Sequence, residues 1–336
     1  MLKVGIIGTG AMGTQHFRRM VTLMSNVEVV AVSDVNEANA TSLIKSFPGI
    51  RFIADAHALI RDPEVQAILI ASSSPTHEDY CLTAIEEQKP VFCEKPLSVT
   101  SEGAKKVVEA EMKGGKRLIQ LGFNRRFDSG FMQLHDILAS GKLGDALLAH
   151  CSHRAPRVPD WYSTTMAITE TLVHEIDIMS WIFNDYFISA QVVMPRKHPD
   201  ASAILQDPQV ILLTTSRGAL VMVDVFVNCQ YGYDIQCDIV AEKGTARLPD
   251  LAKIVVRHDA SCGFEIGSDG LKHFEESYNR EIQCWIDAAI TGEIKSGPSS
   301  WDGYKVAVVT DSAVKAQTSG AIEPIAALET PAFYRS

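Results

Sequence analysis

Apolar residues along this chain follow two rhythms, and the change from one to the other divides it. Up to about residue 121, short and almost continuous apolar runs alternate with helical stretches. Lys3-Val-Gly-Ile-Ile7 and Val65-Gln-Ala-Ile-Leu-Ile-Ala71 lack the in–out alternation of a strand with one wet face, so both faces are expected to be covered. The pattern predicts strands at 3–7, 27–34, 65–71, 91–95 and 118–121, and helices at about 14–24, 36–45, 74–87 and 100–113. Strands separated by helices build a parallel, doubly wound α/β sheet.

After Gly122 the texture changes. A helix carrying Phe131, Leu134, Ile137 and Leu138 ends at Gly141. Strand patterns then follow at 145–153, 188–194, 209–216, 219–228, 235–242 and 246–248, with hairpin turns at Ser216-Arg-Gly218 and Lys243-Gly244. Helices are expected near 165–183, 276–291 and 300–318. The second half therefore reads as α+β, with a large open, mostly antiparallel sheet. The expected domains are 1–121, a Rossmann-type nucleotide-binding domain, and 122–336, a substrate-binding and oligomerisation domain. One strand adds to this. Leu220, Met222 and Phe226 share one face and Val221, Val223, Val225 and Val227 the other, with Asp224 the only charge. Helices can cover one face, and a second subunit is expected on the other, making a homo-oligomer. Burial of both faces within one chain is the alternative.

Composition narrows the function classes. A chain of 336 residues suits two domains, and with 46% apolar and 21% charged residues it buries a core without disulfide staples. The net charge of −10 argues against nucleic acid or an anionic membrane surface as partner. No apolar run reaches the ~18 residues of a membrane span, and Val4–Ile7 is too short for a signal peptide. Seven cysteines without a CxxC pair point to free thiols in the cytoplasm and to no metal site.

Gly8-Thr-Gly-Ala-Met-Gly13 follows the first strand and opens a helix, and Asp34 ends the second strand. In this context GxGxxG binds a dinucleotide pyrophosphate. Gly8 permits the tight turn, Gly10 lets backbone approach the phosphates, and Gly13 allows close helix–strand packing. Asp34 suits ribose hydroxyls and would repel a 2′-phosphate, so NAD is expected rather than NADP. Lys95, in Glu94-Lys95-Pro96, follows a strand at the carboxyl edge where ligands bind; a solvated surface lysine is the plain alternative. Pro96 is a candidate for a cis peptide. Glu170 and His174 stand one helical turn apart, where a carboxylate orients an imidazole and raises its basicity; an ordinary surface pair is the alternative. His77, behind Pro75 and Thr76, either shapes the cofactor pocket or starts a helix. Arg125 either donates to substrate hydroxyls or forms a surface ion pair. Tyr233 either reaches substrate or packs, and His150 and His153 are equally open.

Taken together, the glycine loop, Ser74-Pro-Thr-His77, Phe92-Cys-Glu-Lys-Pro96, Gly122-Phe-Asn-Arg-Arg126 and Thr169-Glu-Thr-Leu-Val-His-Glu-Ile-Asp177 resemble the glucose–fructose oxidoreductase/inositol dehydrogenase/rhizopine-catabolism family. Val227-Asn-Cys-Gln-Tyr-Gly-Tyr-Asp-Ile-Gln-Cys237 and Gly297-Pro-Ser-Ser-Trp-Asp-Gly-Tyr304 are similar to its inositol dehydrogenase subgroup. The resemblance covers nearly the whole chain. It implies NAD-dependent oxidation of a ring secondary alcohol of an inositol, myo-inositol to its 2-keto product being the leading case. It implies that His174 is the base, Lys95 relays the proton and Glu170 is the acidic partner. Asn124, Arg125, His153, Thr171 and Tyr233 match substrate positions. The cofactor contacts are expected at Gly8, Gly10, Ala11, Met12, Gly13, Asp34, Ser72, Pro75, His77, Glu94 and Lys95. The family usually forms tetramers. Two departures stand out: Glu170 where Asp is common, and Asn124 where Met is frequent. Both touch the expected pocket for a small cyclic polyol and leave open the stereoisomer, another polyol or a pyranose sugar. Lys95 and His174 weigh against a non-catalytic sugar sensor, and Asp34 against NADP-linked reduction of a keto-sugar.

Overall fold

The computed structural model describes residues 1–249 and 254–335, which form two compact units. Residues 250–253 and 336, inside the expected second domain, lie outside the described residues.

The first unit runs to Arg126 and also takes in Glu276–Ala307 and residues from 328 onward. Its strands are β1 (Leu2–Ile7), β2 (Val27–Ser33), β3 (Arg51–Phe52), β4 (Ala67–Ile70), β5 (Val91–Cys93) and β6 (Ile119–Leu121). They form one parallel sheet in the order β3-β2-β1-β4-β5-β6, so the order reverses between β1 and β4. Helices α1 (Ala11–Thr22), α2 (Glu37–Ile44), α3 (Ala56–Arg61), α4 (His77–Glu86) and α5 (Ser101–Gly114) connect them. β4 and β5 are buried at every residue, as their unbroken apolar runs predict. α5 is capped at both ends, by Thr100 accepting from Gly103 N and by left-handed Gly115. β3 and α3 fall where the hydrophobic pattern predicts no element. A strand of two residues and a helix of six are too short to show a period.

The second unit comprises Phe127–Glu275 and Val308–Ala327. α6 (Ser129–Ala139) leads into β7 (Ala146–Arg154), α7 (Val173–Phe183), β8 (Phe187–Val193), β9 (Gln209–Thr215), β10 (Leu220–Phe226), β11 (Asp234–Ala241) and β12 (Gly244–Arg247). A separate hairpin pairs β13 (Val256–His258) with β14 (Ser261–Gly263), and α8 (Gly270–His273) follows. α9 (Glu275–Ile290) and α10 (Ser300–Ser319) precede β15 (Glu323–Pro324). The sheet order is β12-β11-β7-β10-β9-β8-β15. The two expected hairpins are present, but β7 and β10 pair in parallel at its centre. Turn signals report only neighbours in sequence. β7 and β10 are separated by α7, β8 and β9, and such a crossover allows parallel pairing.

The single cut between 121 and 122 differs from these units. α9 places Ile282, Trp285, Ile286 and Ala289 on one stripe, in the same core cluster as Phe17, Met20, Val29 and Phe92. Burying each large side chain there is worth on the order of 1.5–3 kcal/mol. That is reason enough for a C-terminal helix to join the N-terminal sheet. The stretch expected as one helix over 165–183 also differs. It opens with a π-helical turn, Ala167–Leu172, before α7.

Candidate active site

In the first unit, backbone hydrogen bonds continue the sheet past its strand ends. Gly8 N donates to Ser33 O, Ala71 N to Ile7 O, Glu94 N to Ile70 O and Gly122 N to Cys93 O, each at 2.8 Å. They hold Gly8, Ser72, Glu94 and Lys95 along the carboxyl edge, beside the β1/β4 reversal where ligands bind in this architecture. The three loop glycines do different things. Gly8 has φ +93°, and a Cβ there would lie 2.4 Å from Ala71 O. A Cβ on Gly13 would lie 1.9 Å from Gly8 O. A Cβ on Gly10 would meet nothing within 4 Å. The first two are demanded by the fold, whereas Gly10 leaves open space beside its backbone. Gly10 is also the N-cap of α1 and offers the helix no side-chain acceptor, and the first turn, with Ala11 and Met12, carries no acid. An anion therefore finds partial positive charge and unoccupied N–H groups.

Asp34 faces this loop. Its Oδ2 accepts from Thr9 N at 2.5 Å and Thr9 Oγ1 at 2.8 Å, and Oδ1 accepts from Asn36 N at 2.7 Å. Burial opposes its charge, but these bonds outweigh it and hold the carboxyl below the usual range. It stays ionised, as a ribose partner must. His77 is buried, with Nδ1 2.7 Å from Pro96 O and Nε2 3.2 Å from Ser72 O. It ties together two loops of the carboxyl edge. Ser72 Oγ meets Thr76 Oγ1 at 2.7 Å, and exposed Pro75 sits in the 3-10 turn before α4. Glu94 is buried against His16 Nε2 at 2.7 Å. Burial pushes its pKa up, but His16 and neighbouring positive charge prevail and hold it below the usual range. Lys95 is the one residue of 91–98 that is not buried, and its bond to Pro96 is cis. Asn124 and Arg125, in the 3-10 turn Asn124–Phe127, are only 1% and 2% exposed. Asn124 Nδ2 donates to Ser277 Oγ of α9 at 3.2 Å, an internal contact that residue type alone does not indicate.

The second unit holds the remaining candidates. His174 is the one residue of 171–179 that is not buried. Glu170, also half-buried, lies on the π turn that leads into α7. This unit also holds a buried imidazole–carboxylate contact. His153 Nδ1 lies 3.0 and 3.1 Å from the two carboxylate oxygens of Glu175, and both residues are buried. The His153 ring centroid is 5.9 Å from that of His174 and 6.0 Å from that of Tyr233. His150, the other open histidine of β7, points to the opposite sheet face and meets Asp224 at 3.3 Å. Thr171 Oγ1 lies 2.6 Å from Tyr162 OH, which itself donates to Met166 O at 2.7 Å. The phenol proton being used, Thr171 is the donor of the pair. Burial, with Glu170 and Asp207 nearby, pushes the Tyr162 phenol up despite the Thr171 bond. Tyr233 N donates to Gly267 O at 2.7 Å, and its ring packs against His273 at 5.7 Å.

Glu175, Tyr162 and His16 were not among the expected residues. Glu175 lies in the same motif as His174, but its partner stands 22 residues upstream on β7, beyond any local spacing rule. Among the described residues, no group of three or more His, Cys, Asp or Glu is placed to hold a metal ion.

A parallel sheet of this order, with an uncapped glycine loop and an ionised acid after β2, defines a dinucleotide-binding domain. The chain belongs to the Gfo/Idh/MocA oxidoreductase family: the model of its NAD-binding Rossmann fold matches residues 2–123, and that of its C-terminal alpha/beta domain matches residues 136–326. Over 334 residues it is 48% identical to inositol 2-dehydrogenase of Pseudomonas savastanoi pv. phaseolicola, covering 99% of each chain. It is 49% identical to the same enzyme of Azotobacter vinelandii, covering 99% of this chain and 98% of that one. Myo-inositol dehydrogenase from Lactobacillus casei, solved with NAD(H) and myo-inositol, superposes with a TM-score of 0.97 at 37% identity over 100% of both chains.

Proposed function

We propose that this chain oxidises a ring secondary alcohol of an inositol with NAD, myo-inositol to its 2-keto product being the leading reaction. The observation that carries this is the full-length similarity to a structure holding NAD(H) and myo-inositol. NAD, when bound, supplies the hydride acceptor. Gly8, Gly10, Ala11, Met12 and Gly13 hold its pyrophosphate, Asp34 its ribose, and Ser72, Pro75, His77, Glu94 and Lys95 the carboxyl-edge portion.

A neutral alcohol is a poor hydride donor, so the hydroxyl proton must leave as well. His174 takes it, its intrinsic pKa suiting neutral pH. Lys95 stabilises alkoxide character on the reacting oxygen and relays the proton. Glu170 bonds a neighbouring hydroxyl and supports His174. Asn124, Arg125, His153, Thr171 and Tyr233 select one of six similar hydroxyls by positioning. Double substitution of Lys95 and His174 tests their joint action. Residues acting in one step give effects far from additive.

A second reading, oxidation of another cyclic polyol or a pyranose sugar, is favoured by Glu170, one methylene longer than the acid common at this position. Initial rates with inositols and sugars, each with NAD and NADP, separate the two. The first reading expects the highest kcat/KM for myo-inositol with NAD, and a pyranose preference overturns it.

The assembly we propose is a homotetramer built on the second sheet face. Leu220, Met222 and Phe226 of β10 remain half-exposed in one chain, whereas Val221, Val223 and Val225 are buried. A monomeric mass by light scattering at micromolar concentration contradicts it. A cytoplasmic setting is supported by seven cysteines that are all thiols. No helix among the described residues is long and apolar enough to cross a membrane.

A further inference from the structure

β7 carries His153 on its buried face, opposite Val225 of β10 and Ile235 of β11. Across from it, α7 presents Glu175, 1% exposed. A carboxylate without a partner is too costly in such a place. Here both of its oxygens lie within 3.1 Å of one nitrogen, His153 Nδ1. An ionised carboxylate only accepts hydrogen bonds, so Nδ1 must carry a proton. A neutral imidazole holds one N–H; placing it on Nδ1 leaves the lone pair on Nε2. The ring also neighbours His174 and Tyr233, with centroids at 5.9 and 6.0 Å.

We infer that Glu175 is a positioning residue. It locks His153 in the Nδ1–H tautomer, so that Nε2 accepts a hydrogen bond from one hydroxyl of a polyol substrate and helps decide which hydroxyl reacts. The inference rests on the proposed polyol oxidation only for the identity of the ligand; the tautomer lock stands without it. Polyols differ in the direction of their hydroxyls, and every polyol O–H can donate. A site that orients one needs a fixed acceptor as well as donors. An imidazole free to change tautomer supplies it only part of the time.

The test uses full-length protein with 15N-labelled histidine. Ring 15N–1H correlation spectra, with His153 assigned by its absence in His153→Ala, report which nitrogen holds the proton. The expected result is Nδ1–H in the wild type and a shift toward Nε2–H in Glu175→Gln, where the acceptor is neutral and weaker. An Nε2–H ring in the wild type, or an unchanged ring in Glu175→Gln, overturns the inference. Kinetics give the second arm. Glu175→Gln raises KM for myo-inositol about tenfold, as loss of one hydrogen bond to substrate does, with KM for NAD unchanged. The same substitution in the His153→Ala background changes KM less than about twofold, because its effect passes through His153. Additive effects, or equal losses for both substrates, show a merely structural carboxylate. If Glu175→Gln fails to fold, Glu175→Asp keeps the charge and must retain the Nδ1–H signature. Wild-type protein that turns over no inositol while showing the expected ring spectra refutes the polyol reading and leaves the lock standing.

Discussion

The two units meet chemistry in different ways. In the first, the glycine loop of the candidate cofactor site works through its backbone. Gly8 and Gly13 are small because Ala71 O and Gly8 O stand where a Cβ would be, and Gly10 is small although nothing fills the space. In the second, the candidates are side chains held by other side chains: His153 by Glu175, and Thr171 by Tyr162. Each unit leaves one titratable residue half-exposed in a buried run, Lys95 in 91–98 and His174 in 171–179. A backbone site is sensitive to added volume, and a side-chain site to removed polarity.

The sharpest test of that contrast is His174→Ala. It lowers kcat/KM at neutral pH by about 10²–10⁴-fold, in the range of general-base removal, and leaves Tm nearly unchanged because the residue is half-exposed. Near-normal steady-state turnover would falsify the base assignment. Gly13→Ala comes next. Its Cβ must displace the Gly8 carbonyl, so Tm falls by about 5 °C and NADH binding is lost with it, read by calorimetry and fluorescence titration. Gly10→Ala sharpens the point from the other side. Tm is retained within about 1 °C, because the added methyl meets nothing, yet NADH binds about tenfold more weakly. Equal Tm losses for the two glycine variants would erase the distinction between a glycine kept for the fold and one kept for the ligand. Asp34→Ser reduces the preference for NAD over NADP by about tenfold, the worth of a charged hydrogen bond to a ribose hydroxyl. An unchanged ratio of kcat/KM values removes Asp34 from cofactor choice.

The smallest effect concerns stability. Asp302 is held far below the usual carboxylate range. Burial opposes its charge, but Arg126 at 3.2 Å, Lys305 at 2.9 Å and Ser299 N outweigh it. A carboxyl whose pKa is depressed on folding stabilises the protein above its unfolded value of about 3.9, and that contribution is lost as pH falls toward the folded value. Asp302→Asn therefore lowers Tm by about 2–4 °C at neutral pH. The two melting curves converge in acid. A constant gap from neutral pH to pH 3 contradicts this account.

Much of this was legible along the chain. The unbroken runs at 65–71 and 91–95 announce strands covered on both faces, and the acid just after β2 marks the candidate ribose partner. These signals survive because they are local: a strand, a turn and a helix start each depend on a few neighbouring residues. Glu170 and His174 show where local reasoning ends. Their spacing assumes 3.6 residues per turn, and local periodicity gives no sign of the π turn at Ala167–Leu172 on which Glu170 lies. Asn124 is a second case. One N–H of its amide goes to Ser277, 153 residues along the chain.

By itself, then, the sequence determined the alternation of elements, the glycine cradle with its acid, and the identity of Lys95 and His174 as the candidates for proton transfer. Periodicity and short motifs are set by neighbouring residues, and they hold in any compact arrangement. Only the tertiary structure decided that α9 completes the N-terminal core, that β7 and β10 run parallel, and that His153 answers to Glu175 rather than to any nearer acid. Each of these joins residues far apart in the chain. Which distant pairs meet depends on how whole elements pack to bury apolar surface and to pair every buried charge, and no short window of sequence contains that balance.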